Sequence, residues 1–590
     1  MSSEPRVSAF AKRRRLNDGS AALSADSSAS IPAKPAKKLK KEKIVDNELQ
    51  PALSVSDITN DENVVSGTTE ESSNSFEPLV EARAVKFTGS REIEQLDGNA
   101  FKFRLSRGQK CSISGIARLW VRDGCVTCYG AHIHASEAVH TLFAAVSDKL
   151  VDIEPTTKIA EFQLEAISQS DLAFPSPLNI PGKVGREARA EPTSFRIVDA
   201  DTAGPPRTQQ HEAMRALLLA ALGEGDTRTR RGTAEGQFTS REPHRIIVCG
   251  KRSSDTTLAS IICINSLLSE IAQADHSKGV TFLDLDAAAP AFSSPGTISL
   301  CTFHNFVLGP SYAFPTQVHK DAVKDLIAAY FVGAVHQEIN FDTILRMVNE
   351  LLNQNRRNRD QPLVVRLGEW LTSVGKYKLT QLKKVLQSNL VLCTDRPKSS
   401  RYHDVVSAVS SPELDNVVYM DQATYTTSSS LLEHRNLLQS HVQLCQYVNG
   451  TPLWDPHATM LASFKHISLS TSNGPNSISF VIVRGGMLRP QDLFEALSGA
   501  LVTLVAVTRR EGRGSASSNL IICDFSDDLE LVHIGVAIVD RTDEMKQEIL
   551  VAGSVTGAQI EAASDKGLEI GLVLEKSGVD GRYSRELALG

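Results

Sequence analysis

No stretch of this 590-residue chain approaches the ~18 consecutive apolar residues that would suggest a membrane span, so no membrane association is expected. Met1–Leu16 lacks the apolar core of a secretory signal. Cysteines are few and scattered, at positions 111, 125, 128, 249, 263, 301, 393, 445 and 523. Without a signal, that spread fits reduced thiols in the cytosol or nucleus rather than a disulfide framework. Cys125-Val126-Thr127-Cys128 has no second CxxC and no nearby histidine pattern, and it lies in a strand-like run. A structural role is therefore expected for it rather than zinc binding. Internal repeats are also lacking. The net charge of −6 excludes little, because the charge is unevenly placed.

The basic residues cluster near the start, in Lys12-Arg13-Arg14-Arg15 and again from Lys37 to Lys43. An acidic, Ser/Thr-rich stretch follows from Asp46 to about Glu77. Short Lys/Arg clusters in a flexible tail read as nuclear-localisation signals or nucleic-acid contacts, and a nuclear address is the expectation. Residues 1–80 carry too little apolar surface to offset ordering entropy and are expected to be disordered. Residues 81–240 read as a β-rich N-terminal domain plus linker. Phe101–Leu105 and Cys111–Ala117 alternate, and Asp123-Gly124 between Leu119–Val121 and Cys125–Tyr129 suggests a two-residue hairpin. An amphipathic helix is expected over Met214–Leu222, and the Arg/Gly-rich stretch 227–237 reads as a solvated linker more readily than an RNA contact.

Residues 241–450 change rhythm. Short apolar strands are expected at Ile246–Val248, Val280–Leu283, Pro362–Val365 and Leu390–Leu392. The first is followed by a helix carrying Leu258, Ile261, Ile264, Leu268 and Ile271 at helical spacing. Strands alternating with helices imply βαβ units. The expected fold is α/β: a P-loop NTPase-type, mostly parallel sheet flanked by N-terminal and C-terminal β-rich domains. Residues 451–590 form the latter, with strands at Ile478–Val483, Leu501–Val507, Leu520–Ile522 and Ile534–Val539.

At the first strand–helix junction, Gly250-Lys251-Arg252-Ser253-Ser254-Asp255-Thr256-Thr257 has the length and context of a Walker A loop. Its first Gly is present, as is its last hydroxyl, Thr257, the position that meets magnesium. The second Gly is Asp255, and the lysine position is Thr256. Such a loop binds phosphate through backbone N–H groups, and its lysine neutralises the β/γ oxygens. Losing that charge-assisted contact should cost roughly ten- to a hundredfold in binding or rate. Asp255 also reads as a helix N-cap, and Lys251 or Arg252 offers a replacement cation. One βαβ unit on, Asp284-Leu285-Asp286 fits a Walker B-type strand end, where a carboxylate holds magnesium or takes a proton.

In this order the motifs resemble those of the fungal nucleolar polynucleotide 5′-hydroxyl kinases of pre-ribosomal RNA processing, relatives of the Clp-type RNA kinases. The family's Leu-Asp-Leu-Asp-Pro-Gly-Gln-Pro-Glu-Phe-Ser-Pro-Pro-Gly-Gln is matched by Leu283–Thr297, and its Leu-Gly-Pro-Ser-Tyr-Thr-His-Pro by Leu308–Pro315. Tyr330–Ala334 resembles its Phe-Phe-Ile-Gly strand. Pro362–Trp370 stands for Pro-Leu-Ile-Val-Asn-Thr-Pro-Gly-Trp, keeping Trp370 but replacing the threonine with Leu367. Arg435-Asn-Leu-Leu-Gln439 loosely matches the lid helix, and Ala287–Ala289 replaces Pro-Gly-Gln.

The resemblance implies Asp286 as general base toward an RNA 5′-hydroxyl and Arg435 as the lid arginine. Thr257 and Asp284 would hold Mg2+, and residues 250–257 would hold ATP. It further implies a nucleolar location, pre-ribosomal internal transcribed spacer RNA as substrate, and a Las-type endonuclease as partner. Three altered motifs leave two readings: an ATP-dependent RNA kinase of ribosome biogenesis, or a kinase-like scaffold in the same pathway. An unrelated P-loop ATPase or GTPase would require the 282–315 match to be coincidence.

Overall fold

The computed structural model describes residues 92–96, 100–144, 151–166, 195–198, 211–220, 243–250, 256–274, 278–309, 311, 324–333, 341–368, 374–394, 405–406, 417–419, 466–471, 476–484, 490–508, 521–523, 530–553 and 555–575. The tail 1–80 and the stretch 227–237 lie outside them. Everything described belongs to one compact unit, Val85–Gly590.

The N-terminal part is an antiparallel β structure, as its alternation requires. Ala100–Ser106 and Ile159–Ala166 pair with each other, and the latter pairs with the long strand Cys111–Asp123. Their inward residues, among them Phe103, Leu119, Phe162 and Leu164, make one core in which the Phe103 and Phe162 rings stack at 5.1 Å. The hairpin expected at Asp123-Gly124 is not made. Gly124 bends the chain at φ 75°, with the Ile159 carbonyl too close to admit a side chain. Cys125–Cys128 instead pairs with Ala131–His134. Its two-residue loop is Tyr129-Gly130, at φ 50° and 76°, the double left-handed geometry that matches strand twist. Cys125 and Cys128 are both buried, and burial pushes both thiols above their ordinary range. Among the described residues no group of three or more His, Cys, Asp or Glu is placed to hold a metal ion.

The central sheet begins with five parallel strands in the order Val417–Tyr419, Leu390–Cys393, Arg245–Cys249, Leu363–Arg366, Val280–Asp284. Thr297–Phe303 and Lys324–Phe331 continue it antiparallel. The four sequence-expected parallel strands all form. Side-chain alternation divides them between two cores. Ile247, Leu283, Leu363 and Val365 pack under the helices Phe341–Gln354 and Lys376–Leu386. Ile246, Val248, Phe282 and Val364 pack under the helix Thr256–Ala274.

That last helix is buried on every side from Ile261 to Ser269, more than its stripe of aliphatics implied. Its second face meets the N-terminal β structure. Ile262 lies against Gly130, Ser269 Oγ accepts from His132 N, and the buried Asn265 side chain donates to the Tyr129 and Val307 carbonyls. A helix over 211–220 closes the same junction. Burial pushes the Glu212 carboxyl up, but hydrogen bonds from His132 and Thr127 outweigh it and hold the group below its usual range.

The C-terminal strands continue the central sheet. Leu531–Asp543 pairs antiparallel with Lys324–Phe331, and Leu501–Thr508, Leu568–Glu575, Phe480–Arg484 and Ile521–Cys523 follow outward. Within this region His533 Nε2 is shut off from solvent and makes no hydrogen bond among the described residues. Burial lowers its pKa to about 4 from 6.5. The unfolded ring therefore gains its proton before the folded one. Stability from this group is complete above pH 6.5 and drains away as pH falls towards about 4. Between pH 7 and 5 the loss should be roughly 2 kcal/mol. Urea midpoints should show this loss in the native protein and not in His533→Leu; equal losses in both would refute the assignment.

Candidate functional site

Ligands of open parallel sheets bind beyond the carboxyl ends of the strands. Here that edge is formed by Cys249-Gly250, Asp284 and Arg366. In-register pairing sets Asp284 directly beside Arg366, so their side chains leave the same face, the one covered by the helix that starts at Thr256. Thr257, one residue into that helix, is 4% exposed and Asp284 is fully buried. Among the expected site residues, Thr257, Asp284 and Asp286 come together around one side chain, while Gly250 follows the strand Arg245–Cys249 and Thr256 opens the helix. Lys251, Arg252, Ser253, Ser254, Asp255, Trp370 and Arg435 lie outside the described residues.

The residue at the centre of this group was not among those expected. Arg366 is 2% exposed, the largest fully buried side chain described. Its Nε donates to Asp284 Oδ1 at 3.0 Å and its Nη2 to Asp284 Oδ2 at 3.2 Å, the two-pronged fit of guanidinium to carboxylate. Nη1 donates to Thr257 Oγ1 at 2.7 Å. Nη2 also donates to the Ala289 carbonyl and lies 3.6 Å from Asp286 Oδ2. Asp284 accepts in addition from the backbone N–H groups of Asp286, at 3.1 Å, and Ala291, at 2.6 Å. Both partners of a buried ion pair are thereby satisfied, as a low-dielectric interior demands.

The sequence held one signal for this. An arginine closes the otherwise apolar strand Leu363-Val364-Val365-Arg366, at the position where the resembled motif has asparagine. An apolar strand that ends in a cation under a helix needs a buried anion, and the parallel register supplies Asp284.

The segment 287–297 is a turn rebuilt around this pair. Gly296, at φ 84°, turns its carbonyl to accept from both Val332 N and Gly333 N, while its own N–H donates to Ala287 O. Phe292 anchors the turn edge-on between Phe282 and Phe303. In the second motif, Gly309 allows close approach to Phe143, whose N–H donates to Leu308 O. That motif joins the N-terminal β structure to the sheet.

The expected magnesium ligands do not fit a divalent ion in this arrangement. Magnesium needs oxygen ligands at about 2.1 Å in octahedral array. Thr257 Oγ1 and both Asp284 oxygens are instead engaged by guanidinium N–H groups. A divalent ion on those oxygens would lie about 4 Å from a fixed positive charge, a repulsion of roughly 8 kcal/mol at an effective dielectric of 20.

Comparison with known proteins agrees with the motifs. Residues 256–437 match the family described as mRNA cleavage and polyadenylation factor CLP1 P-loop. Proteins named polynucleotide 5′-hydroxyl-kinase grc3 are similar over most of the chain. That of Aspergillus clavatus is 23% identical over 431 residues, covering 68% of this chain and 50% of its own length. That of Aspergillus terreus is 23% identical over 460 residues, with 73% and 54% covered, and that of Emericella nidulans is 24% identical over 433 residues, with 68% and 51% covered. The chain spans about half the length of the curated relatives it matches. A solved wild-type Clp1p–Pcf11p complex aligns with a TM-score of 0.47 at 13% identity, covering 81% of this chain and 99% of that one. The chain is thus similar to the fungal proteins named polynucleotide 5′-hydroxyl-kinase grc3, and its residues 256–437 match the Clp1 P-loop family model.

Proposed function

We propose that this protein is a polynucleotide 5′-hydroxyl kinase that uses ATP, acting on RNA ends in pre-ribosomal internal transcribed spacer processing. The observation that carries the reading is the meeting of Thr257, Asp284 and Asp286 beyond the strand ends, in a chain whose relatives bear that kinase's name. In this reading the nucleotide phosphates lie along Gly250–Thr257, and Asp286, which retains partial exposure, accepts the proton of the attacking hydroxyl. A nuclear and nucleolar location and a Las-type endonuclease partner belong to the same proposal, supported by the basic clusters and by the family resemblance.

A second reading is favoured by Arg366 itself. Its engagement with Thr257 and Asp284 suits a kinase-like scaffold that keeps the fold for a partner and does not turn over ATP. Transfer of labelled γ-phosphate from ATP to a 5′-hydroxyl RNA, with and without the endonuclease, separates the two. Transfer that falls at least a hundredfold in Asp286→Ala supports the kinase. No transfer from folded protein in either condition rejects it and leaves the scaffold.

A further inference from the structure

We propose that Arg366 is a built-in replacement for the divalent cation of this site, so that the Thr257/Asp284 oxygens take no metal ion. The inference rests on reading Gly250–Thr257 as a P-loop, but not on phosphoryl transfer. A metal at such a loop bridges a hydroxyl on the first helical turn and a carboxylate at a strand end. The guanidinium makes that same bridge, from Thr257 Oγ1 to Asp284, with its third side on the Ala289 carbonyl and close to Asp286.

The surroundings are built for the arginine. Two backbone N–H groups complete the Asp284 carboxylate, and one of them, from Ala291, comes from the turn where Ala287–Ala289 replaces the family's Pro-Gly-Gln. The Ala289 carbonyl of that same turn accepts from Arg366. The altered turn and the arginine thus meet as one unit. The positive charge that a metal would bring is covalently present, held between Thr257 and Asp284. A permanently charged guanidinium also needs no ion uptake, so any nucleotide binding here is indifferent to magnesium.

The test compares the full chain in magnesium and in EDTA. Thermal shift with ATP should give the same apparent affinity in both buffers, within twofold, or no shift in either. Mn2+ titrated with the protein should keep its free-ion electron paramagnetic resonance amplitude. Arg366→Asn should gain at least tenfold in Mn2+ affinity. If that variant does not fold, iron-mediated backbone cleavage of the native protein takes its place, and no cuts near 257 or 284–286 are expected. ATP affinity at least tenfold tighter in magnesium than in EDTA, protein-bound Mn2+ in the native chain, or cleavage at those positions would overturn the proposal. Those results leave the kinase reading standing. Conversely, metal-indifferent binding without phosphate transfer sinks the kinase reading and keeps this one.

Discussion

Replacing Arg366 with leucine is expected to destabilise the protein by about 3–5 kcal/mol, the usual cost of removing one partner from a buried ion pair. The reason is the state in which Asp284 is left. It is fully buried, and without the guanidinium the Asp286 and Ala291 N–H groups are the donors left to its charge among the described residues. Thr257 Oγ1 and the Ala289 carbonyl lose a donor as well. The loss is specific to an unpaired charge, so it should be strongly non-additive. Asp284→Asn combined with Arg366→Leu should recover at least about 1 kcal/mol relative to the sum of the single changes. Urea unfolding of the four proteins measures this. A single-variant cost below about 1 kcal/mol would mean that the pair contributes little to this fold.

Phe292→Ala should cost a similar amount, about 3–5 kcal/mol, because it empties a fully enclosed aromatic site. Phe292 meets Phe303 at 4.8 Å and Phe282 at 5.4 Å, both edge-on, and all three rings are buried. Its consequences should extend beyond packing. The neighbouring Ala291 N–H donates to Asp284, so collapse of the turn loosens the carboxylate that holds Arg366. Hydrogen exchange at Ala291 should therefore quicken together with the fall in urea midpoint. Phe292→Leu should retain more than half of the stability. An alanine variant within about 1 kcal/mol of the native protein would show that the rings do not form a closed cluster.

Arg366 and Phe292 differ in how far the sequence reveals them. Phe292 falls in the stretch 282–315, where the resemblance is most specific, at a position where the resembled motif also has phenylalanine. Thr257, Asp284 and Asp286 were readable for a similar reason: each occupies a fixed offset from a strand end, and the period of the chain shows where strands end. Arg366 occupies such an offset too, at the close of Leu363–Arg366. Its role was hidden because it depends on which strand lies alongside. Placing Leu363–Arg366 between Arg245–Cys249 and Val280–Asp284 is a matter of sheet order. Sequence distance carries no information on that order.

The same distinction accounts for the turn at residue 124 and for the C-terminal strands. Asp123-Gly124 has the composition of a hairpin loop, but the Ile159 carbonyl packs against Gly124 and sends the chain on to another pairing. The strands after residue 460 alternate as β structure does. Yet only the pairing of Tyr330 and Phe331 with Val532 and Leu531 makes them an extension of the central sheet.

The sequence by itself determined the α/β character of the central region, the strand that ends at Cys249 with the helix after it, and the carboxylates at the next strand end. These follow from local periodicity and from spacing within a single βαβ unit. Tertiary structure alone decided that a cation 82 residues beyond Asp284 would enter between Thr257 and Asp284. The physical reason is that a charge on an apolar strand must find its counter-charge inside the fold, and that partner is chosen by strand order and register.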